Sequence, residues 1–474
     1  MVSRCSKLSP ESESVFTDSN SACALSVLRL AALYFMTRLP LGPRSRYPGR
    51  IFLEFRQDPI GFLEKAAAQF GDVVHWKMGG QNVFLINDPN LIRDVLVTQD
   101  KKFEKQMEAS RTLLGLGLTV SNGELHQRQR RSIQPGFYRD RIAKFAEVMV
   151  ACAARARSRW EENATLDIKS EMERIALRVV GETLFGVDLE SHADVISHAM
   201  ATAIGSPSNM MMPMLKWIDK LPLKGVRAAK AGRAVLHAVV DQVIRERKQS
   251  PGQTDDLLSG LLFADDQNNG ASEQQVHDEV MNLLIAGYET TANAMSWTWF
   301  LLSQHPKVED RLHQELDKVV GDRSLTMADF EALRLTQNVV RESLRLCPPL
   351  WIVWRRTIED YSLNGCVAPA GSLVLMCQYL THRDKRYFPE PLQFNPDRWT
   401  EKFREHLPKF AYFPFGGGSR QCIGDRFGFM EAVLVVATIA QKWKLRLAAG
   451  HPVVRAPLFT LRPKYGLRMI AIRR

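Results

Sequence analysis

The stretch FPFGGGSRQCIG, residues 413–424, decides how the rest of the chain is understood. Three successive glycines let a backbone pass close to a flat object and take dihedral angles that other residues avoid. Cys422 follows shortly after, where a helix is expected to begin and to run from about Ile423 to Trp443. Backbone N–H groups and the helix dipole stabilise a thiolate at such a place. Arg420 stands ready to pair with an anionic group. A thiolate in this setting suits porphyrin iron, because such a ligand promotes O–O bond cleavage. The plain alternative is a glycine turn with a buried cysteine.

The chain around this stretch has 474 residues, 45% of them apolar, which suffices for a large core. No Gly/Ser-rich or acidic linker divides it. Helical patterns dominate, and short strand-like runs are scattered among them. The expected fold is therefore mainly α with small β-sheets. Residues 1–47 read as an N-terminal extension and residues 48–474 as a single domain. The seven cysteines form no CxxC pair, which fits neither a disulfide scaffold nor a zinc cluster and suits a reducing, cytoplasmic setting. The net charge is +11, but it is spread along the chain and no nucleic-acid-binding motif accompanies it. No nucleic-acid partner is expected. The segment ACALSVLRLAALYFM, residues 22–36, contains Arg29 and is shorter than the roughly 20 residues that span a bilayer. It reads as a helix that packs on the body or touches a membrane surface peripherally. Pro40, Pro43 and Pro48 then stiffen the approach to the body.

Several elements can be placed by pattern. Pro59 to Phe70 predicts a short helix opened by proline. DVVHWKM and NVFLI, joined at GGQ, predict a hairpin. DPNLIRDVL returns to helix. LLGLGLT, residues 113–119, is glycine-rich and apolar, a loop lining something. Helix dominates from Gly123 to about Arg245, interrupted by SPSNMMMPM, residues 206–214. DDQNNG, residues 265–270, is a turn. A capping box from Ser272 to Gln275 then starts a long central helix reaching about Leu302. Pro306 opens the next helix. Short strands are expected between Thr357 and Met376, with a strand pair or strand-turn at LFTLRPKYGLRMIAI.

Three further motifs bear on chemistry. AGYETT, residues 286–291, puts an acid and a hydroxyl in the middle of the long helix. Mid-helix Thr and Glu are usually surface or back-bonding groups. Their apolar setting makes a proton-handling role for Glu289 and Thr290 more attractive. ESLR holds Glu342 and Arg345 at i,i+3 spacing, worth only about 0.2–0.5 kcal/mol on an ordinary helix. GELHQRQRR, residues 123–131, would ordinarily be a solvated basic face.

Together these residues resemble the cytochrome P450 family. Phe415, Gly418, Cys422 and Gly424 match its FxxGxxxCxG signature. The resemblance covers about residues 48–474 and includes the order of the segments. It implies the family's triangular helical prism around a buried heme b, with Cys422 as axial thiolate. It places Phe415 beside the sulfur, Arg420 at a heme propionate, and Gly424 where the following helix crosses closely. Glu289 and Thr290 fall on the family's acid and threonine, Gly287 leaves room for dioxygen, and Ala286 lines the substrate side. Glu342 and Arg345 resemble the family's ExxR pair, with Arg398 of PDRW as a structural third partner. His126 and Arg130 stand where the family commonly has tryptophan and arginine at a propionate, and Arg355 resembles another propionate-binding arginine.

The implied activity is a monooxygenase that inserts one atom of dioxygen into a lipophilic substrate. Electrons are expected from a separate ferredoxin and ferredoxin reductase, a flavodoxin or a reductase. Candidate pocket residues are Leu116, Met211, Ala286, Leu350, Ile352 and Phe459. The chain resembles the longer fatty-acid-hydroxylase and eukaryotic-like branch, so a fatty acid is slightly preferred to a terpenoid or polyketide. A monomer is expected. The rivals are a peroxide-driven hydroxylase, against which the acid–threonine pair argues, a heme carrier or sensor without turnover, and a basic helical interaction protein.

Overall fold

The computed structural model describes residues 39–47, 49–107, 110–204, 223–249, 256–262 and 272–474. The expected N-terminal helix, the SPSNMMMPM segment with Met211, and the DDQNNG turn lie outside the described residues. Contacts with the body reach back to Leu41. His75 N donates to Leu41 O at 3.2 Å. A Cβ on Gly42 would stand 1.9 Å from His75 O.

The first principal helix, α1 (Pro59–Phe70), has the bounds the sequence predicts, with Pro59 in its first turn and the Asp58 side chain accepting from Gly61 N. The hairpin follows as β1 (Val73–Met78) and β2 (Gln81–Ile86), with Val73 opposite Ile86 and Met78 opposite Gln81. DPNLIRDVL is helical only through Arg93 and then widens into a π-turn, Asp94–Thr98. Strand β3 (Phe103–Glu104) precedes α2 (Gly123–Ile133), α3 (Ala146–Ser158), strand β4 (Thr165–Asp167), α4 (Ile168–Val180), α5 (Ala193–Ile204) and α6 (Lys224–Gln249).

The centre of the molecule is α7 (Glu273–Gln304), 32 residues and about 48 Å long at 1.5 Å per residue. Ser272 accepts from Gln275 N at 3.2 Å, which is one half of the expected capping box. Buried residues occur around the whole circumference of α7, as for a helix enclosed by others. Helices α8 (Pro306–Val319) and α9 (Arg334–Leu346) follow. Strands β5 (Val353–Thr357), β6 (Tyr361–Leu363), β7 (Cys366–Ala368) and β8 (Leu373–Met376) come next. The order β1-β2-β8-β5-β3 forms the main sheet, in which β2 and β8 run parallel and the other neighbours antiparallel.

Helix α10 (Asp425–Ala440) is deeply buried beside α3 and α7. It starts three residues beyond Cys422 and is followed by β9 (Trp443–Leu447), β10 (Arg455–Pro457), β11 (Leu461–Pro463) and β12 (Arg468–Arg473). The terminal strand-turn divides between two sheets: β11 pairs with β10, while β12 lies between β4 and β9. Among the described residues no helix is long and apolar enough to cross a membrane.

Candidate active site

A slot with about 950 Å³ of space, its open mouth included, runs between the glycine-rich segment and the middle of α7. Cys422, Phe415 and Gly424 line one wall. Cys422 N donates to Phe415 O at 2.9 Å, which folds the segment back on itself. The thiol is open to the slot, yet enclosure by the surrounding walls pushes it up to about 11, against the Gly424 N–H and the nearby Arg130 and Lys105, which favour the thiolate.

The glycines have individual reasons. Gly418 has φ of +69°, and a Cβ there would stand 1.7 Å from Leu96 O. Gly424 has φ of −96°, and a Cβ there would meet Phe137 at an ordinary 3.5 Å.

The opposite wall is α7. Ala286, Gly287 and Thr290 line the slot, and Thr290 Oγ1 donates to Ala286 O at 2.7 Å. Gly287 also permits a helix contact, because a Cβ on it would come 2.8 Å from Val180 of α4. Glu289 does not line the slot. Consecutive helical residues point about 100° apart, and Glu289 turns toward β11. Its Oε1 accepts from Thr460 Oγ1 at 2.6 Å, and its Oε2 has no partner among the described residues. Burial raises its pKa against the Thr460 bond and Arg462.

At one edge the chain gathers cations. Arg420 donates to Ser121 O at 2.6 Å and to Asn122 Oδ1 at 2.8 Å. Arg130 donates to Gln421 O at 2.8 Å. Arg355 is buried on β5. Among the described residues, none of these arginines has a carboxylate within ion-pair distance. Lys105, which the sequence did not single out, joins them. Its Nζ donates to Thr119 O, and burial together with Arg355 and Arg420 pulls its pKa down to about 7. Burial and the same four cations hold His126 at about 3, so its imidazole is neutral. The only clue to Lys105 in the sequence is a lysine in KFEKQ, which looks like solvated charge.

Glu342 and Arg345 are fully buried on α9. Glu342 accepts from Arg345 Nε at 2.9 Å and Nη2 at 2.8 Å, from Arg398 Nε at 2.9 Å, from Trp399 Nε1 at 3.0 Å and from Asn395 N at 3.0 Å. Arg345 also donates to His382 O, Pro391 O and Gln393 O.

The pocket expectations divide. Ala286 and Leu350 line the slot. Leu116 is 47% exposed and lies away from it. Ile352 is buried in the core, and Phe459 packs against that core without lining the slot. Met211 lies outside the described residues. Phe137, Leu184 and Leu283 also line the slot, and no local pattern in the sequence marks them. Their helices converge only in three dimensions.

These residues fit a flat, anionic, iron-bearing macrocycle. A thiol opens into an apolar slot, and a cluster of cations without carboxylate partners stands at its edge. Such a cluster is costly unless an anionic group balances it. Comparisons with known proteins agree. The sequence profile of the Cytochrome P450 family matches residues 42–467. The chain is 38% identical to cyclooctatin synthase of Streptomyces melanosporofaciens, over 85% of this chain and 89% of that protein. It is 37% identical to cyclooctat-9-en-7-ol 5-monooxygenase of the same organism, over 83% and 86%. The solved structure of retinoic-acid-bound cyanobacterial CYP120A1 superposes with a TM-score of 0.82 at 27% identity, covering 92% of this chain and all of that one. Signature, site geometry, profile and relatives coincide: the chain belongs to the cytochrome P450 family.

Proposed function

We propose that this heme-dependent monooxygenase, which uses dioxygen and takes electrons from a separate redox partner, acts on a cyclic apolar hydrocarbon or its alcohol. The observation that carries the reading is the slot itself, with Cys422 on one wall and Ala286, Gly287 and Thr290 on the other. When bound, heme supplies the activation of dioxygen. Cys422 would hold the iron, and Arg130, Arg355, Arg420, Lys105 and neutral His126 would hold the propionates. Phe415 and Gly424 pack at the thiolate. Thr290 spends its proton on Ala286 O, so its lone pairs are left to accept from water or a reacting group in the slot.

The lining favours an apolar substrate. Leu184, Leu283, Ala286, Pro349 and Leu350 offer no charge. One relative is named as the monooxygenase of cyclooctat-9-en-7-ol and another as cyclooctatin synthase, which shifts the preference from a fatty acid to a ring system. Titrating the oxidised protein with cyclic terpene hydrocarbons and with fatty acids of equal carbon count tests this. Substrate-type spectral shifts with the rings and none with the acids are expected, and the reverse would overturn it. Oxygen uptake that requires a reductant separates this activity from peroxide-driven hydroxylation.

A further inference from the structure

The loop at residues 115–119 does not line the slot, yet it is held tightly. Leu116 N donates to Asp278 Oδ2 at 2.8 Å, Leu118 N to Glu279 Oε2 at 2.9 Å, and Thr119 N to Asn282 Oδ1 at 3.1 Å. Asn282 Nδ2 returns a bond to Leu114 O at 2.7 Å. Three side chains from the start of α7 thus take three backbone donors of one short loop. Its glycines make the approach possible. A Cβ on Gly115 would stand 2.1 Å from the Asp278 carboxylate, and one on Gly117 2.1 Å from Asn282 Nδ2. Gly115 also has φ of +55°.

The loop then runs straight into the cation cluster. Lys105 Nζ donates to Thr119 O at 3.2 Å, and Arg420 holds Ser121 O and Asn122 Oδ1. Lys105 and Asn122 exchange two further bonds, Lys105 N to Asn122 Oδ1 and Asn122 Nδ2 to Lys105 O. One continuous piece of chain therefore joins the first turns of α7 to the groups that face the cofactor's anionic edge.

We propose that Glu279, with Asp278 and Asn282, is a positioning residue that clamps residues 115–119 onto α7, thereby fixes Arg420 and Lys105 for the cofactor's carboxylates, and does so in a proton-linked way. The part that concerns Arg420 and Lys105 rests on the heme reading above. Glu279 is 1% exposed, and its Oε1 has no partner among the described residues. Burial pushes its carboxyl up to about 7, with the Leu118 N–H opposing and Asp278 adding to the rise. A solvated glutamate titrates near 4.3. The clamped state therefore holds the proton more tightly than the open state. Clamping is favoured most at low pH, weakens as pH rises from the ordinary carboxylate range through about 7, and is level above that.

Other titratable groups stand close by. His277 on α7 lies 3.6 Å from Asp278 Oδ1 and 3.5 Å from Asp241 Oδ1 of α6, and it meets His237 of α6 at 3.3 Å. Comparison of wild type with a non-titrating variant at position 279 removes their contribution.

The test is hydrogen exchange of residues 114–122 in the heme-loaded protein, corrected for intrinsic rates, together with heme transfer to excess apomyoglobin. In the wild type, protection should fall by about tenfold or more as pH rises through about 7, and heme release should quicken over the same range. Glu279→Gln keeps an acceptor for Leu118 N without titrating, so exchange should lose that pH dependence, and heme release should lose the part below about pH 7 and keep the rise above it that Lys105 contributes. Glu279→Ala should lose protection and release heme faster at every pH. A wild-type exchange profile flat with pH, or an equal slope in Glu279→Gln, overturns the proton linkage. A loosened loop with unchanged heme release in Glu279→Ala overturns the coupling to Arg420. A protein that binds no heme fails the cofactor reading and the coupling with it, while exchange still judges the clamp alone.

Discussion

At Cys422 the thiol sits in an enclosed slot that favours its neutral form, and a bound metal reverses that preference by taking the thiolate as a ligand. Cys422→Ala should abolish the red-shifted band of the carbon monoxide difference spectrum, read on the reduced, heme-supplied protein. Persistence of that band would remove Cys422 from the iron. Lys105 gives a second expectation. Its pKa is about 7 without an anion, and a bound propionate restores it toward the ordinary lysine value near 10.4. Heme binding should therefore take up a proton above pH 7, and affinity should decline as pH rises from there. Calorimetric titration in two buffers of different ionisation heat measures the uptake, which Lys105→Met should remove. The signature residues were legible because their spacing is local. Lys105 and the turn of Glu289 toward Thr460 were not. The first depends on chain that meets only in the fold, and the second on which side of α7 faces which neighbour.

Among the elements, those with a local cause were read well. Proline marked the start of α1, and apolar runs about Gly-Gly marked the β1–β2 hairpin. The strands near the C-terminus were harder, because β11 and β12 choose partners from distant parts of the chain. The glycine-rich segment shows the same limit at finer grain. Gly418 meets a carbonyl from the π-turn at Leu96, which no pattern within the segment reveals. Gly418→Ala combines a left-handed backbone with that collision. It should cost at least about 1–3 kcal/mol and lower heme incorporation. Gly424→Ala, with ordinary φ and an ordinary contact, should fold and load heme nearly as the wild type does. Heme content per protein and denaturant midpoints for the pair settle the contrast.

For the whole molecule, the buried carboxylate of Glu342 joins α9 to the segment carrying Asn395, Arg398 and Trp399. Glu342→Ala leaves the buried Arg345 without its countercharge and should destabilise the protein by about 3–5 kcal/mol, measured by urea unfolding. A loss below 1 kcal/mol would show that the other acceptors of Arg345 suffice.

Helix α7 carries the proposed clamp near its start and the slot-lining Ala286, Gly287 and Thr290 in its middle. Glu279 and Thr290 are eleven residues apart, about 16 Å along the axis. That separation exceeds the 7–10 Å or so within which substitutions ordinarily couple. Free-energy changes from paired substitutions at the two positions should therefore sum. A natural or designed sequence could then tune cofactor retention and oxygen chemistry as separate traits on one unbroken rod.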